Sequence, residues 1–455
     1  MVRVETLGNV ASEVSKPARS AAENPGRRPV KELGERESAC SAERRTVDPL
    51  ANRRGILTRT LPVNPTLGVS PFLTIDDLDC RGRRVFFRVD PLVLAGSDRE
   101  GSSLRQLLAQ EARVLIGTRF GAEAIADTGI RSLDDLAAQL SEQLGVEAFL
   151  PDECVGDAVV RVMHQLRPAQ ICILPDLSSE PGERSNDERF ARALASNADA
   201  YLGDAFASSH LEQASVARLP QLLPRRALGV EARRELGELT ELGSASRESL
   251  GWCLGGQRLA DKIDLLDRWL PRLGTLCVGG QLAITLLVAA GRAPEEVSPE
   301  PELGARARSL LTRARDLEVE LILPTDLRIV WEGDPEPQVV PVRSLTPSLR
   351  VVDLGPESSE RFCQALAARQ QLLWWGPLGD TKSEAGTTAS RQLAELCGRP
   401  GLKAVVLGKD TGRFVRTLPA EVRQGIDLLC TGTAAVCAFL SGHRLPGLEA
   451  LRTRQ

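Results

Sequence analysis

The spacing of apolar and polar positions divides the chain into stretches of different character. Residues 1 to about 70 are rich in Arg, Glu, Ser and Pro, show no sustained apolar period, and read as a disordered extension. From Leu73 onward, short apolar runs suited to strands alternate with amphipathic stretches suited to helices. Strands are predicted at 84–89, 113–116, 146–150, 170–174 and 200–202, with helices at 133–144 and 187–196. A helix over about 231–242, its charges on a solvated face, runs into Gly243-Ser244-Ala245-Ser246. A second series of strands follows at 250–254, 275–278, 318–323, 349–352, 371–375, 404–407 and 426–430.

Strands alternating with helices at this spacing predict parallel sheets covered on both faces. The best boundary falls near residue 245. The expected fold class is therefore α/β, with two Rossmann-like doubly wound domains, over 71–243 and 244–430, joined by a helix. Such an arrangement sets a ligand cleft between the carboxyl ends of two sets of strands.

Composition narrows the function classes. A chain of 455 residues suits two domains of ordinary α/β size, and 42% apolar with 26% charged residues is ordinary for a globular protein. A formal charge of −4, with no basic run interleaved with aromatics, gives no footprint for nucleic acid. No apolar stretch reaches the roughly 18 residues of a membrane span.

Ten cysteines include no Cys-x-x-Cys pair, and His164, His210 and His443 lie far apart, which argues against zinc and for reduced, buried thiols in an intracellular protein. Cys430 and Cys437 lie close in sequence, but buried thiols are the simpler reading than a redox pair. Arginine and serine in the extension suit an organellar (plastid) address, whereas Glu5, Glu13, Glu23, Glu32 and Glu35 oppose one. Cytoplasmic and organellar placements both stay open. Only six of the 57 basic residues are lysine, and Lys262, Lys382, Lys403 and Lys409 fall in or beside turns after strands.

The most informative segment is Leu250-Gly-Trp-Cys-Leu-Gly-Gly-Gln-Arg-Leu-Ala-Asp-Lys-Ile263, an apolar run followed by a Gly-Gly turn and a helix start. Glycines there let a backbone approach a ligand, and Lys262 stands where a first helical turn presents a cation to phosphate. The plainer reading of the same glycines is a tight strand–helix connection.

Taken in order, several segments resemble phosphoglycerate kinase. They are Leu73-Thr-Ile-Asp-Asp-Leu-Asp79 with Arg88-Val-Asp90, then Asp204-Ala-Phe206 with His210 and Ala214-Ser215, then Gly255-Gly256 through Asp261-Lys262-Ile263. Gly279-Gly280, Leu323-Pro-Thr-Asp326, Asp353-Leu-Gly-Pro356, Trp374-Trp-Gly-Pro-Leu-Gly379, Asp410-Thr411 and Leu445-Pro-Gly447 continue the series. The resemblance implies an N-terminal domain for 3-phosphoglycerate and a C-terminal domain for Mg2+ with ATP or ADP. It also implies a final segment, 431–455, that folds back on the N-terminal domain, and a hinge that closes the two ligands together.

By the same resemblance, Asp90 and Arg119 would belong to the acid site and Arg258 would stand at the transferring phosphoryl. Gly255, Gly256, Lys262, Gly279, Gly280, Gly376, Pro377, Asp410 and Thr411 would line the nucleotide site, with Asp410 also toward magnesium. The acid site departs from the family pattern: Leu92 stands for an Asn, and Ala122, Ser178 and Leu211 stand for arginines. A further family arginine aligns near Gly96, with Arg99 as its nearest substitute. Each charge-assisted contact is worth about 1.5–3 kcal/mol. Losing three or more therefore costs on the order of 5 kcal/mol, over a thousandfold in affinity.

The nucleotide side is altered too. Leu407 and Lys409 stand at family glycines, Gly432-Thr-Ala434 replaces a triple glycine, Trp375 replaces an Asn, and Lys382 falls where the family places a ribose-binding Glu unless Glu384 serves. Lys262, Lys382 and Lys409 forming an anion site, and solvated lysines at loop tips, both remain open. The leading expectation is a non-catalytic binding or scaffold homologue with an unidentified protein partner. An active phosphoglycerate kinase is the alternative, and a kinase for another acid anchored by Arg119 is the third.

Overall fold

The computed structural model describes residues 72–96, 99–331 and 334–452. The extension read over 1–70, with its targeting role, lies outside the described residues. The first sheet is built from β1 (Arg84–Val89), β2 (Arg113–Gly117), β3 (Ala148–Phe149), β4 (Ile171–Ile173), β5 (Ala200–Asp204) and β6 (Arg225–Leu228), in the order β3-β4-β2-β1-β5-β6. Every pairing in it is parallel. Its strands are apolar on both faces, as burial between two helix layers demands. Val85, Phe87, Val114, Ile116, Ile171, Ile173, Ala200 and Leu202 fill one side, while Phe86, Leu115, Cys172 and Tyr201 fill the other.

The second sheet uses β7 (Leu250–Leu254), β8 (Thr275–Val278) and β9 (Glu320–Ile322), then, after a smaller sheet of β10 (Asp326–Trp331), β11 (Asp334–Pro341) and β12 (Leu349–Leu354), β13 (Gln371–Trp375), β14 (Lys403–Leu407) and β15 (Leu428–Cys430). Its order is β15-β14-β13-β7-β8-β9, again all parallel. The two doubly wound α/β lobes are thus as expected, joined by the helix Val230–Ser244, whose Ala232, Leu236, Leu239 and Leu242 form one buried stripe.

Four strands depart from the expectation, β10 among them as a strand the sequence reading did not include. The segment read as a strand at 349–352 is not in the parallel sheet: as β12 it pairs antiparallel with β10, which also pairs antiparallel with β11. Strand β11 escaped notice because Pro335, Pro337 and Pro341 interrupt its pattern, and proline is tolerated on an edge strand, where β11 sits. Strand β6 opens on Arg225-Arg226 at the edge of its sheet, so it lacks the apolar run of a central strand.

The last helices lie against the N-terminal lobe. Phe439 meets Phe206 edge-on at 6.4 Å between ring centroids, the Gly447 N–H donates to the Ser209 carbonyl at 2.9 Å, and Arg226 reaches the Arg452 carbonyl at 3.2 Å. The C-terminal lobe holds the same segment through Trp269, whose indole N–H donates to the Leu440 carbonyl at 2.9 Å. Trp269 is 1% exposed and stacks on Trp252 at 5.2 Å.

Trp269→Ala removes a buried ring, its stack and this link together. It is expected to cost about 3–5 kcal/mol in urea unfolding and to raise hydrogen exchange over 433–451. An unchanged exchange pattern there would show that the link does not hold the final helices.

Candidate functional site

The carboxyl ends of the first sheet open onto a cleft of about 590 Å3 whose opposite wall comes from the second lobe. Strand β1 delivers Asp90 and then Pro91-Leu92-Val93; the turn after β2 delivers Arg119, Gly121 and Ala122. Ser178 follows β4, while Ala207, Ser208 and His210 follow β5. The connecting helix adds Glu235, and the second lobe adds Lys409, Leu429 and Thr431 to Ala434.

Asp90 is held by the Ala207 N–H at 3.1 Å and the Ser208 hydroxyl at 3.0 Å. Burial pushes its carboxyl above the ordinary value, against the pull of Arg88. Arg119 is exposed at the cleft wall and, among the described residues, makes no hydrogen bond or ion pair. Burial lowers the His210 imidazole, so it adds no charge near neutrality.

Three of the positions at which the sequence departs from the family pattern lie on this cleft, and Leu211 does not. Leu92, Ala122 and Ser178 line the cleft, and the Ser178 hydroxyl is bound to Asp176 at 2.7 Å. Three nearby arginines, Arg184, Arg99 and Arg88, do not line the cleft. Arg184 approaches Ser178 but donates to the carbonyls of Ser178 and Ser179 at 2.6 and 3.1 Å. Arg99 folds beside Gly96 and does not line the cleft. Arg88 is 1% exposed and turned inward, toward Ser215 and the Val89 carbonyl.

A second groove, of about 570 Å3, lies at the carboxyl ends of the second sheet and is lined by Gly256, Gly280, Val351, Pro377, Leu378, Lys382 and Asp410. Here β7, β8 and β13 end against one another. The Gly255 and Gly256 N–H groups donate to the Trp375 and Pro377 carbonyls at 2.9 and 2.7 Å, and Gly280 donates to Leu378 at 3.1 Å. A Cβ on Gly255 would strike the Pro377 carbonyl oxygen, and one on Gly280 would lie 2.6 Å from the Gly256 nitrogen. Strand-end packing alone therefore requires these glycines. Gly279 packs likewise against Leu378, and Gly376 (φ +95°) against Gly255.

Lys262 is 7% exposed, and its ammonium lies 4.7 Å from the Trp375 ring centroid. Such a contact is a cation–π interaction. Trp375, 6% exposed, fills the space beside Lys262 and Gly408 at the end of β13. Burial lowers the Lys262 ammonium from its usual range. Thr411 is fully buried, accepting the Gly376 N–H at 3.0 Å and donating to the Leu407 carbonyl at 3.1 Å, so its hydroxyl ties β13 to β14. Arg258 projects into solvent with Asp261 at 3.9 Å, and Asp410 is exposed with Arg413 at 3.7 Å.

These residues do not fit a magnesium–nucleotide complex well. Magnesium is commonly held by one or two carboxylates together with substrate phosphates. Asp410 is exposed and lies 3.7 Å from Arg413, Asp380 pairs with Arg350 at 3.0 Å, Asp353 accepts the Leu354 and Ala389 N–H groups, and Trp375 occupies the space over Lys262. Among the described residues, no group of three or more His, Cys, Asp or Glu could hold a metal. The three lysines do not converge: Lys409 lines the inter-lobe cleft, Lys382 the groove, and Lys262 lies under Trp375.

Two contacts between the lobes were not legible in the sequence. Arg413 reaches Asp127 at 3.0 Å, and the Cys430 thiol reaches Glu235 at 3.0 Å. Each joins residues far apart in the chain, and no local period marks them. Cys430 and Cys437 form no disulfide, and none of the nine described cysteines is paired.

Comparison with known proteins places this geometry in context. The family model described as phosphoglycerate kinase matches residues 75–443. A phosphoglycerate kinase of Anaeromyxobacter sp. (strain K) is 32% identical over 394 residues, covering 83% of this chain and 98% of the relative. One from Thermosynechococcus vestitus is 30% identical over 389 residues, covering 82% and 96%. The solved phosphoglycerate kinase from Coxiella burnetii superposes with a TM-score of 0.69 at 25% identity, over 84% of this chain and 99% of that one. The enzyme from Pyrococcus horikoshii, at 19% identity and a TM-score of 0.71, shares the fold over 83% and 98%.

The half-buried Glu235 gives a pH test of the lobe junction. Burial, with smaller contributions from Asp90, Asp204 and Glu231, pushes its carboxyl from 4.5 up to about 8, against a lowering by Cys430. A folded-state value above the unfolded one stabilises the fold fully below about 4.5, and that contribution is lost as pH rises through about 8. Glu235→Gln is expected to flatten the fall in thermal stability between about pH 4.5 and pH 8 and to gain on the order of 2–4 kcal/mol above it. Parallel stability–pH curves for the two proteins would remove Glu235 as their cause.

Proposed function

The chain belongs to the phosphoglycerate kinase family, and from that premise we propose that it is a member which binds ligand in its inter-lobe cleft without phosphorylating 3-phosphoglycerate. Phosphoryl transfer asks a protein chiefly for positioning and for positive charge around the transferring group. One observation carries the reading: the wall meant for a carboxylate and a phosphate presents Leu92, Ala122 and Ser178, with Arg119 as its exposed guanidinium. The placement of Trp375 over Lys262 supports it independently, because a buried ring beside that ammonium obstructs a phosphate there.

On this reading the fold is retained for what its two lobes hold between them, and the unidentified partner of a scaffold role would approach the same assembly. Magnesium nucleotide, used by the family in general, would supply the phosphoryl group in an active member. Here Lys262, Asp410 and the Gly256–Gly280 turn would hold it only after Trp375 moved aside.

A coupled assay with 3-phosphoglycerate and MgATP is expected to give turnover at least a thousandfold below the roughly 1–100 per second usual for kinases. Calorimetry is expected to show no saturable heat with 3-phosphoglycerate. Trp375→Asn is expected to strengthen MgADP binding by about tenfold or more, since it uncovers a charge-assisted contact at Lys262. Turnover in the ordinary kinase range, abolished by Asp410→Ala, would instead establish the active alternative.

A further inference from the structure

The inter-lobe cleft has a chemistry of its own. Leu92, Val93, Ala122, Ala124, Leu429 and Ala434 give it an apolar lining drawn from both lobes. Its charges largely cancel. Asp127, 10% exposed, is paired with Arg413 at 3.0 Å, and Asp90 is satisfied by Ala207 and Ser208. Lys409 is not left without a partner. Arg119 stands exposed at the wall and, among the described residues, carries no hydrogen bond or ion pair.

The second lobe faces this guanidinium with the start of the helix Thr433–Leu440. Its N-cap, Gly432, contributes no side-chain cap, and the Thr433 N–H is taken by the Thr431 carbonyl at 2.9 Å. The exposed Arg119 guanidinium can meet an anion of one charge. A triply charged phosphoglycerate would bring further charges that no second guanidinium among the described lining residues meets.

We propose that the inter-lobe cleft is a receptor for small monocarboxylic acids with an apolar body, the carboxylate held by Arg119 and the body laid against Leu92, Val93, Ala122 and Ala124. The inference rests on the reading that 3-phosphoglycerate is not the ligand here, and it adds what takes its place. Arg119 supplies a planar pair of donors matched to a carboxylate. The aliphatic wall supplies burial for a chain or ring, a contribution a phosphorylated sugar acid cannot use. Because residues of both lobes line the cleft, binding also favours the arrangement in which they face one another.

The test uses the full chain and calorimetric titration with 3-phenylpropionate, hexanoate, the neutral 3-phenylpropanamide and 3-phosphoglycerate. Both monocarboxylates are expected to bind at least about tenfold more tightly than the amide or 3-phosphoglycerate. Arg119→Gln is expected to weaken 3-phenylpropionate by about tenfold or more, and Leu92→Asn to weaken it with little change for acetate. Arg119 is exposed, so its variant should melt with the parent protein, which confirms that any loss is local. The proposal is overturned if the amide binds as well as the acid, if Arg119→Gln binds unchanged, or if no monocarboxylate binds up to about 10 mM.

The coupled assay on the same preparation separates the two readings. Turnover of 3-phosphoglycerate sinks the proposed function. Absence of both turnover and carboxylate binding sinks only the inference about the ligand.

Discussion

Both lobes are organised around one continuous apolar core that passes from the inner face of the first sheet, through the helix Val230–Ser244, to the second sheet. Parallel sheets must bury both faces, so each lobe needs its own helical cover, and the connecting helix serves both at once. That shared packing decides which strand ends face each other. The cleft, the groove and the final helices all take their positions from it.

The turn between β14 and the helix Lys409–Thr417 shows what this geometry does. Lys409 lines the inter-lobe cleft and the adjacent Asp410 lines the groove, so two neighbouring residues serve two recesses. Around this turn the structure favours internal satisfaction over ligand contact. Thr411 bonds the ends of β13 and β14, Trp375 covers Lys262, and the glycines of three strand ends pack on one another. Polar groups at these strand ends are engaged by the protein itself.

Buried polar groups follow the same logic. Glu183, fully buried, accepts the Ser215 N–H at 2.8 Å and its hydroxyl at 2.6 Å, and that hydroxyl in turn accepts from Arg88. An arginine next to the acid site is thereby turned into the core, where each polar atom left unpaired would be costly. A charge near the cleft in sequence is not a charge in the cleft.

The chain by itself determined the alternation of strands and helices and the all-parallel character of the two main sheets, because buried runs and side-chain identities are written locally. Positions such as Leu92, Ala122 and Ser178 were legible for that reason. Tertiary structure alone decided that 349–352 joins an antiparallel sheet, that Arg184 is occupied by carbonyls, and that the buried Trp375 lies over Lys262. It alone brought Asp127 to Arg413 and Glu235 to Cys430. The reason is physical: the partners in these contacts come from separate elements, and only packing sets the distance and direction between them.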